Sequence, residues 1–417
     1  MLEPQSTVYF IVLIAVFAGL TWWLIRARQV ALKVTAAVLS FATAMAFGIL
    51  SVNKYFGYYQ TWGAAIADFS NSSPDLGPEV SAGSLLVGLN KPAFDASEVN
   101  LQLARSQGYT IRVPVPGPRS HLTRVVYVYL PPQYFDPGYA RYRFPAVELI
   151  PGQPGEPQDW INVAGIVVTL NDLISRGLAK PAVLVMPDAN GSPRVSLQCL
   201  NQVSGPADLT YLAVDVPEVI SHTLRLQPPG PGWGVAGYSE GGFCAANMAL
   251  RYRYRYGYSA SLSGYFSPML NKLPGATKLV SPFGGDSELR RLNTPLDEVL
   301  ALAPGARLPE FWLGAGTGDT TDVANAEYFR QELLGHEASV PLDLTAGGHD
   351  MGAWHAEIPP MMAWMTTGLA GAVANLARLA AAKAQHARHL RHRKPGAAAR
   401  KHPSRPGLAG QSPRAGV

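Results

Sequence analysis

The sequence predicts an α/β domain, a mostly parallel sheet with helices on both faces, preceded by two transmembrane helices. Two nineteen-residue runs without a charge stand near the start, Thr7–Ile25 and Val34–Val52. From about residue 105 to 380, short apolar runs rich in β-branched and aromatic residues alternate with helix-length segments. The composition agrees, with 47% hydrophobic and only 15% charged residues, against about 25% charged in an ordinary soluble domain.

Each apolar run has the length needed to cross a hydrocarbon core of about 30 Å. Between them lie Arg26, Arg28 and Lys33, whereas the segment before the first run carries Glu3 and no Lys or Arg. Basic loops stay on the cytoplasmic side. The expectation is therefore a two-span anchor in the cell membrane, residues 1–53, with everything after Val52 extracytoplasmic. A cleaved signal peptide would need a basic start, a shorter apolar stretch and a small-residue cleavage site, none of which fits Thr7–Ile25.

Residues 54–104 read as a juxtamembrane segment and linker. The aromatic run Asn53-Lys54-Tyr55-Phe56-Gly57-Tyr58-Tyr59 suits a helix leaving the interface, and 70–100 is rich in Ser, Pro and Gly. At the other end, nine of the 34 Lys and Arg lie between Lys383 and Val417, with no Asp or Glu. The rest of the chain, 25 basic against 29 acidic residues, is mildly acidic. Residues 381–417 are thus expected to be a disordered basic tail, suited to anionic wall polymers or lipid headgroups. A nucleic-acid-binding fold would carry its positive charge on a structured face, so no nucleic-acid partner is expected.

In the body, the expected strands are 109–115, 125–130, 146–150, 182–186, 234–236, 259–263, 310–313 and 341–345. Helices are expected at 159–175, 209–225, 241–256, 322–334 and 357–380. Near-continuous apolar strands alternating with helices indicate a parallel sheet covered on both faces. The first two strands have no helix between them and read as an antiparallel edge. Chemistry in such sheets gathers at the carboxyl ends of the strands.

One strand runs into Gly237-Tyr238-Ser239-Glu240-Gly241, followed by an Ala-rich helix. This is the G-x-S-x-G nucleophile elbow, in which Gly237 and Gly241 permit a turn sharp enough to lift the serine hydroxyl clear of the sheet. A nucleophilic serine needs a base. Five of the nine histidines lie outside the tail, and His349, in the glycine-rich loop Gly347-Gly348-His349 after the last strand, fits best. His355 is the runner-up. In this arrangement the acid precedes the histidine. Asp319 is the first choice because it is nearer the end of its strand, and Asp322, read as a helix cap, is the alternative. The oxyanion donors are expected from the backbone N–H groups of Glu240 and of Gln153, in the loop Pro151-Gly152-Gln153-Pro154-Gly155, where Pro154 cannot donate. No H-E-x-x-H or P-loop spacing occurs, so no metal or cofactor is expected.

The blocks VYLPPQY, FPAVELIPGQPGEPQDW, VMPDANG, GYSEGGFCAANMALRY, LSGYF and AGGHDMGAW resemble the putative-esterase family of α/β-hydrolases, which includes esterase D, feruloyl esterases and actinobacterial mycolyltransferases. The match covers about residues 105–370, and the spans and the NKYFGYY segment resemble membrane-anchored actinobacterial members. The resemblance implies an α/β-hydrolase fold over 105–380, with Ser239 as nucleophile, His349 as base and Asp319 as acid. It also implies oxyanion donors at Gln153 and Glu240. Pro151 stands where many relatives have His, and Glu240 and an Asp acid depart from the mycolyltransferases.

The first expectation is therefore a membrane-anchored extracytoplasmic serine esterase. An envelope acyltransferase with the same triad is the alternative, and a catalytically silent envelope-binding domain ranks third. The partners expected are an ester substrate and envelope lipid or glycolipid. Cys199 and Cys244 are the only cysteines. In an oxidising compartment they are expected to bridge, worth about 4 kcal/mol in the chain-entropy model. Residues 266–308 read as an insertion able to form a lid or pocket wall.

Overall fold

The structure, a computed structural model, describes residues 3–392 apart from 60, 64, 67–75, 80–100, 193–194, 271–280, 304 and 337–338. The described residues divide into two units between Val373 and Ala374. At the front, α1 (Thr7–Arg26) and α2 (Val30–Phe56) are long and apolar enough to cross a membrane. They pack as an antiparallel hairpin, with the Phe10 and Phe47 rings edge-on at 5.6 Å. Lys54 Nζ, near the end of α2, donates to Thr7 Oγ1 at 2.9 Å.

The end of α2 is fastened to the rest of the unit. Gly57 closes the helix at φ +64, and a Cβ there would lie 2.7 Å from the Gly352 nitrogen. Only glycine allows both the left-handed turn and this approach. The buried Asn53 side chain accepts from Tyr59 N at 2.7 Å and donates to Tyr59 O at 3.0 Å. Tyr58 and Tyr59 pack on one of the two hydrophobic cores.

The nine-stranded sheet runs in the order β1-β2-β3-β5-β4-β6-β7-β8-β9, where β1 is Leu76–Glu79, β2 Tyr109–Pro116, β3 Thr123–Leu130, β4 Ala146–Ile150, β5 Val183–Pro187, β6 Gly230–Tyr238, β7 Tyr256–Leu262, β8 Glu310–Gly316 and β9 Leu342–Thr345. The pairings of β3 with β2 and β5 are antiparallel and the rest parallel. This is the mostly parallel sheet expected, with the antiparallel strands toward one edge. Side chains alternate between its faces: Val183 and Val185 of β5 enter one core, Leu184 and Met186 the other, and all four are fully buried. The first core is completed by helix α4 (Glu240–Arg251), the second by α3 (Ile166–Ser175) and the start of α6 (Met351–His392).

Several expectations are corrected. The stretch 70–100 is not wholly a linker, because Leu76–Glu79 adds a parallel edge strand to β2; its composition hides a role that only backbone pairing confers. The helix expected at 159–175 is split into Asp159–Asn162 and α3 by Gly165 at φ +62. The final helix starts at Met351, six residues early, and continues to His392, well into the expected disordered tail. Ala380, Ala381 and Ala382 lead that extension with high helix propensity. The remainder of the tail, 393–417, lies outside the described residues.

Candidate active site

Strand order brings the first two loops together. β4 lies between β5 and β6, so the connection leaving β4 runs toward β5 while that leaving β6 runs the other way, toward β7, and a crevice opens at the carboxyl ends of these two strands. Ile150 is level with Gly237 across the β4–β6 pair. The loop after β4 therefore lies beside the turn after β6, and a Cβ on Gly152 would come within 3.2 Å of Ser239 Cβ.

Ser239 sits between β6 and α4 at φ 55, ψ −122. A non-glycine residue in this region carries strain of about 1–3 kcal/mol, which persists only where the surroundings enforce it. They do so here. A Cβ on Gly237 would stand 2.1 Å from Gly241 O, and one on Gly241 would stand 2.1 Å from Ile150 O. Ser239 N donates to Leu262 O on β7, while Ser239 O accepts from Gly242 N at 2.9 Å to begin the helix.

His349 Nε2 lies 2.8 Å from Ser239 Oγ, and its Nδ1 lies 2.6 Å from Asp322 Oδ2. Two laced loops build this pair. Thr317 N donates to Thr345 O, and Gly318 N donates to Gly347 O. Asp350 accepts from Gly348 N and Ala353 N, fixing the histidine loop where it enters α6. The Trp354 ring meets His349 edge-on at 5.3 Å, stacks on Tyr238 at 4.7 Å and donates through Nε1 to Ser263 Oγ.

The hydrogen bond with Asp322 raises the His349 pKa above its ordinary 6.5, against the opposing effect of burial. Behind this pair, burial pushes the Glu357 carboxyl up to about 8. Near neutral pH it is mostly protonated, and it accepts from Thr345 Oγ1.

Of the two candidate acids, it is the alternative, Asp322, whose side chain meets His349. Asp319 is the N-cap of α5 (Thr320–Leu334) and accepts from Thr321 N and Asp322 N, both at 3.0 Å. The strand expected to end at Leu313 continues to Gly316, and the helix begins at Thr320, earlier than expected, with Asp322 in its first turn. There its side chain faces His349. Asp319 is nevertheless close, since one polar atom of each of Asp319, Asp322 and His349 lies within 4.8 Å of the others. His355, the runner-up base, is 2.7 Å from Val163 O, and burial holds its pKa down.

Gln153 and Glu240, expected as oxyanion donors, flank Ser239 and are linked through Asn190. Asn190 Nδ2 donates to Gln153 Oε1 at 3.0 Å and to Glu240 Oε1 at 3.2 Å. The Glu240 carboxylate also accepts from Ser196 Oγ; burial raises its pKa and these hydrogen bonds oppose the shift. A disulfide joins Cys199 to Cys244 across 5.5 Å between Cα atoms, tying the 196–199 segment to α4 behind the serine. Asn190, Trp354 and Ser263 join the site without a signal of their own in the sequence. VMPDANG, AGGHDMGAW and LSGYF contain them, but nothing local to those blocks says what the side chains will meet.

A cavity of about 930 Å³ opens at Ser239 and His349. Among the described residues, nothing from 266–308 lines it, so the expected lid is not its wall. Phe283 and Val299 of that stretch are buried in the hydrophobic core. The wall is supplied instead by α2.

A hydroxyl, an imidazole and a carboxylate in hydrogen-bonded series can move a proton from the hydroxyl as it attacks an acyl carbon. Comparison with known proteins points to the same chemistry. A model of the Putative esterase family matches residues 121–365. An uncharacterized protein of Corynebacterium glutamicum is 26% identical over 272 residues, which is 63% of this chain and 62% of that protein's length. A ferulic acid esterase superposes with a TM-score of 0.54 at 17% identity, covering 63% of this chain and 99% of that one. An S-formylglutathione hydrolase from Agrobacterium tumefaciens gives 0.50 at 17% identity, over 64% of this chain and 95% of that one. The structural likenesses are ones of fold, and with the family match over more than half of the sequence they make this chain a member of the Putative esterase family.

Proposed function

We propose that the chain is a membrane-anchored serine esterase whose catalytic domain, residues 105–380, faces away from the cytoplasm. Ser239 is the nucleophile, His349 the base and Asp322 the acid. The observation that carries this is the pair of contacts at His349, 2.8 Å to Ser239 Oγ and 2.6 Å to Asp322 Oδ2. As Ser239 Oγ bonds to the acyl carbon, His349 Nε2 takes its proton, and Asp322 stabilises the imidazolium without itself accepting the proton. The negative oxygen that develops is stabilised by the N–H groups of Gln153 and Glu240, each such donor being worth about 3 kcal/mol. The imidazolium then returns its proton to the leaving alcohol. Water repeats the sequence and releases the acid. Residues 1–53 form the anchor, and Arg26, Arg28 and Lys33 keep its short loop cytoplasmic.

A fluorophosphonate probe on full-length protein tests the chemistry. Wild type should be labelled stoichiometrically on Ser239, and Ser239→Ala should not react. Absence of labelling and of turnover of any short ester in the wild type would favour a silent binding domain. Reporter fusions test the topology. A fusion after Val417 should be active outside the membrane and one between Arg28 and Lys33 inside; the opposite pattern would place the hydrolase in the cytoplasm. Product analysis with an added carbohydrate acceptor distinguishes hydrolysis from acyl transfer.

A further inference from the structure

The cavity at Ser239 does not end within the esterase domain. Phe41, Met45, Gly48, Ile49, Val52 and Phe56 line it from one face of α2. Their spacing of three, four and one residues is that of a single helical stripe. Gly152, Gln153, Ser239, His349 and Trp354 line its other end. One continuous space therefore joins the side of an apolar, membrane-length helix to the candidate nucleophile.

The dimensions match one leaflet. From Val52 to Phe41 is eleven residues, about 16 Å at ~1.5 Å per residue. Half of a ~30 Å hydrocarbon core is about 15 Å. Phe41 also lies near the middle of the charge-free run Val34–Val52. The groove thus extends from the midplane depth of such a span to the juxtamembrane turn that fastens α2 to the esterase domain. At that turn the contact between Gly57 and Gly352 fixes the end of the helix three residues from His349. The α2 residues in the groove remain exposed within the protein, among them Phe41 at 70% and Ile49 at 61%. At that depth in a bilayer, the medium beside them is lipid hydrocarbon.

We propose that this groove is an acyl-chain site and that the substrate is a long-chain ester of a membrane lipid. The lipid enters sideways from the outer leaflet with its tail along α2 and its ester carbonyl at Ser239. This rests on the membrane-anchored serine-esterase reading and adds the substrate class. The cavity volume, about 930 Å³, lies near the top of the ~300–1,000 Å³ range of small-molecule sites, as a long hydrocarbon tail requires. A short water-soluble ester would fill only the Ser239 end and gain nothing from α2.

The test uses full-length protein in phospholipid nanodiscs with p-nitrophenyl acetate and p-nitrophenyl palmitate. A Cβ on Gly48 would meet nothing within 4 Å, so Gly48→Trp projects its ring into the groove without a backbone clash. The ratio of palmitate to acetate turnover should fall at least about tenfold. Gly19 of α1 is likewise open and does not line the cavity; Gly19→Trp should leave both activities as in wild type. If Gly48→Trp loses all activity, Met45→Trp decides the matter by the same ratio. An unchanged ratio in the active groove variant, or no preference for palmitate in the wild type, overturns the acyl-chain site while leaving the esterase intact. Retention of both activities by Ser239→Ala overturns the serine reading instead.

Discussion

The turn that carries Ser239 and the paired loops that carry Asp322 and His349 meet at one point but are held there differently. Ser239 is placed by backbone packing within a single strand-turn-helix, where two glycines each occupy a space with no room for a Cβ. Asp322 and His349 are 27 residues apart, in the first turn of α5 after β8 and in the loop after the edge strand β9, and are joined by a side-chain hydrogen bond, with backbone contacts between the two connections. A site can thus combine a serine fixed by local geometry with a hydrogen-bonded histidine and carboxylate assembled from distant segments, the proposed relay. Changes to the relay should affect rate, while changes to the elbow should affect folding as well.

The sharpest contrast is expected within the acid loop. Asp322→Asn should lower turnover of a short p-nitrophenyl ester by about 10⁴-fold, because an amide cannot hold the imidazole in the required tautomer or stabilise its cation. Asp319→Ala should instead cost about 1 kcal/mol of stability through the lost helix cap, with a much smaller fall in rate. Steady-state kinetics and denaturant titration on both variants check this, and a larger rate loss at Asp319 would return the acid role to it.

On the elbow side, Gly241→Ala places a methyl group 2.1 Å from Ile150 O. Overpacking of this kind typically costs about 1–3 kcal/mol. We expect a lower denaturation midpoint together with slower fluorophosphonate labelling, since the turn and the helix start must shift as a unit. Unchanged stability would mean that the elbow is no more rigid than the loops opposite it.

The smallest effect expected is on the pH profile. With His349 as the proposed base, the free enzyme needs it neutral, so kcat/KM should rise with pH through the His349 pKa. That pKa lies above 6.5, chiefly because of the hydrogen bond with Asp322. Without that carboxylate, burial, which favours the neutral imidazole, becomes the stronger influence. The rising limb should therefore move to lower pH in Asp322→Asn, even as the maximal rate collapses. A limb that stays in place would detach His349 from Asp322 electrostatically.

Properties set by short stretches of sequence are legible in the residues themselves. Eight strands of the sheet stand at nearly the positions that the apolar β-branched runs mark, because such runs pair into the sheet and, except at the edge strand β9, are largely buried there. Ser239 and its two glycines are readable for a similar reason, since the elbow is strand, turn and helix in succession. The two membrane-length helices declare themselves by composition alone. Proximity to the strand end favours Asp319, whereas the side chain that meets His349 is that of Asp322, because β8 runs on through its pairing with β7 and β9 and α5 then begins with Asp319 as its cap. The short strand 76–79 is hidden on the same grounds. Tertiary structure alone decides that Asn190 links Gln153 to Glu240 and that Trp354 backs His349. It also decides that α2, more than a hundred residues before the serine, supplies a wall of the cavity. Helical periodicity gives α2 an apolar stripe but is silent about which distant loop that stripe will face; the packing of Gly57 against Gly352, and of Tyr58 and Tyr59 on the core, brings the two together.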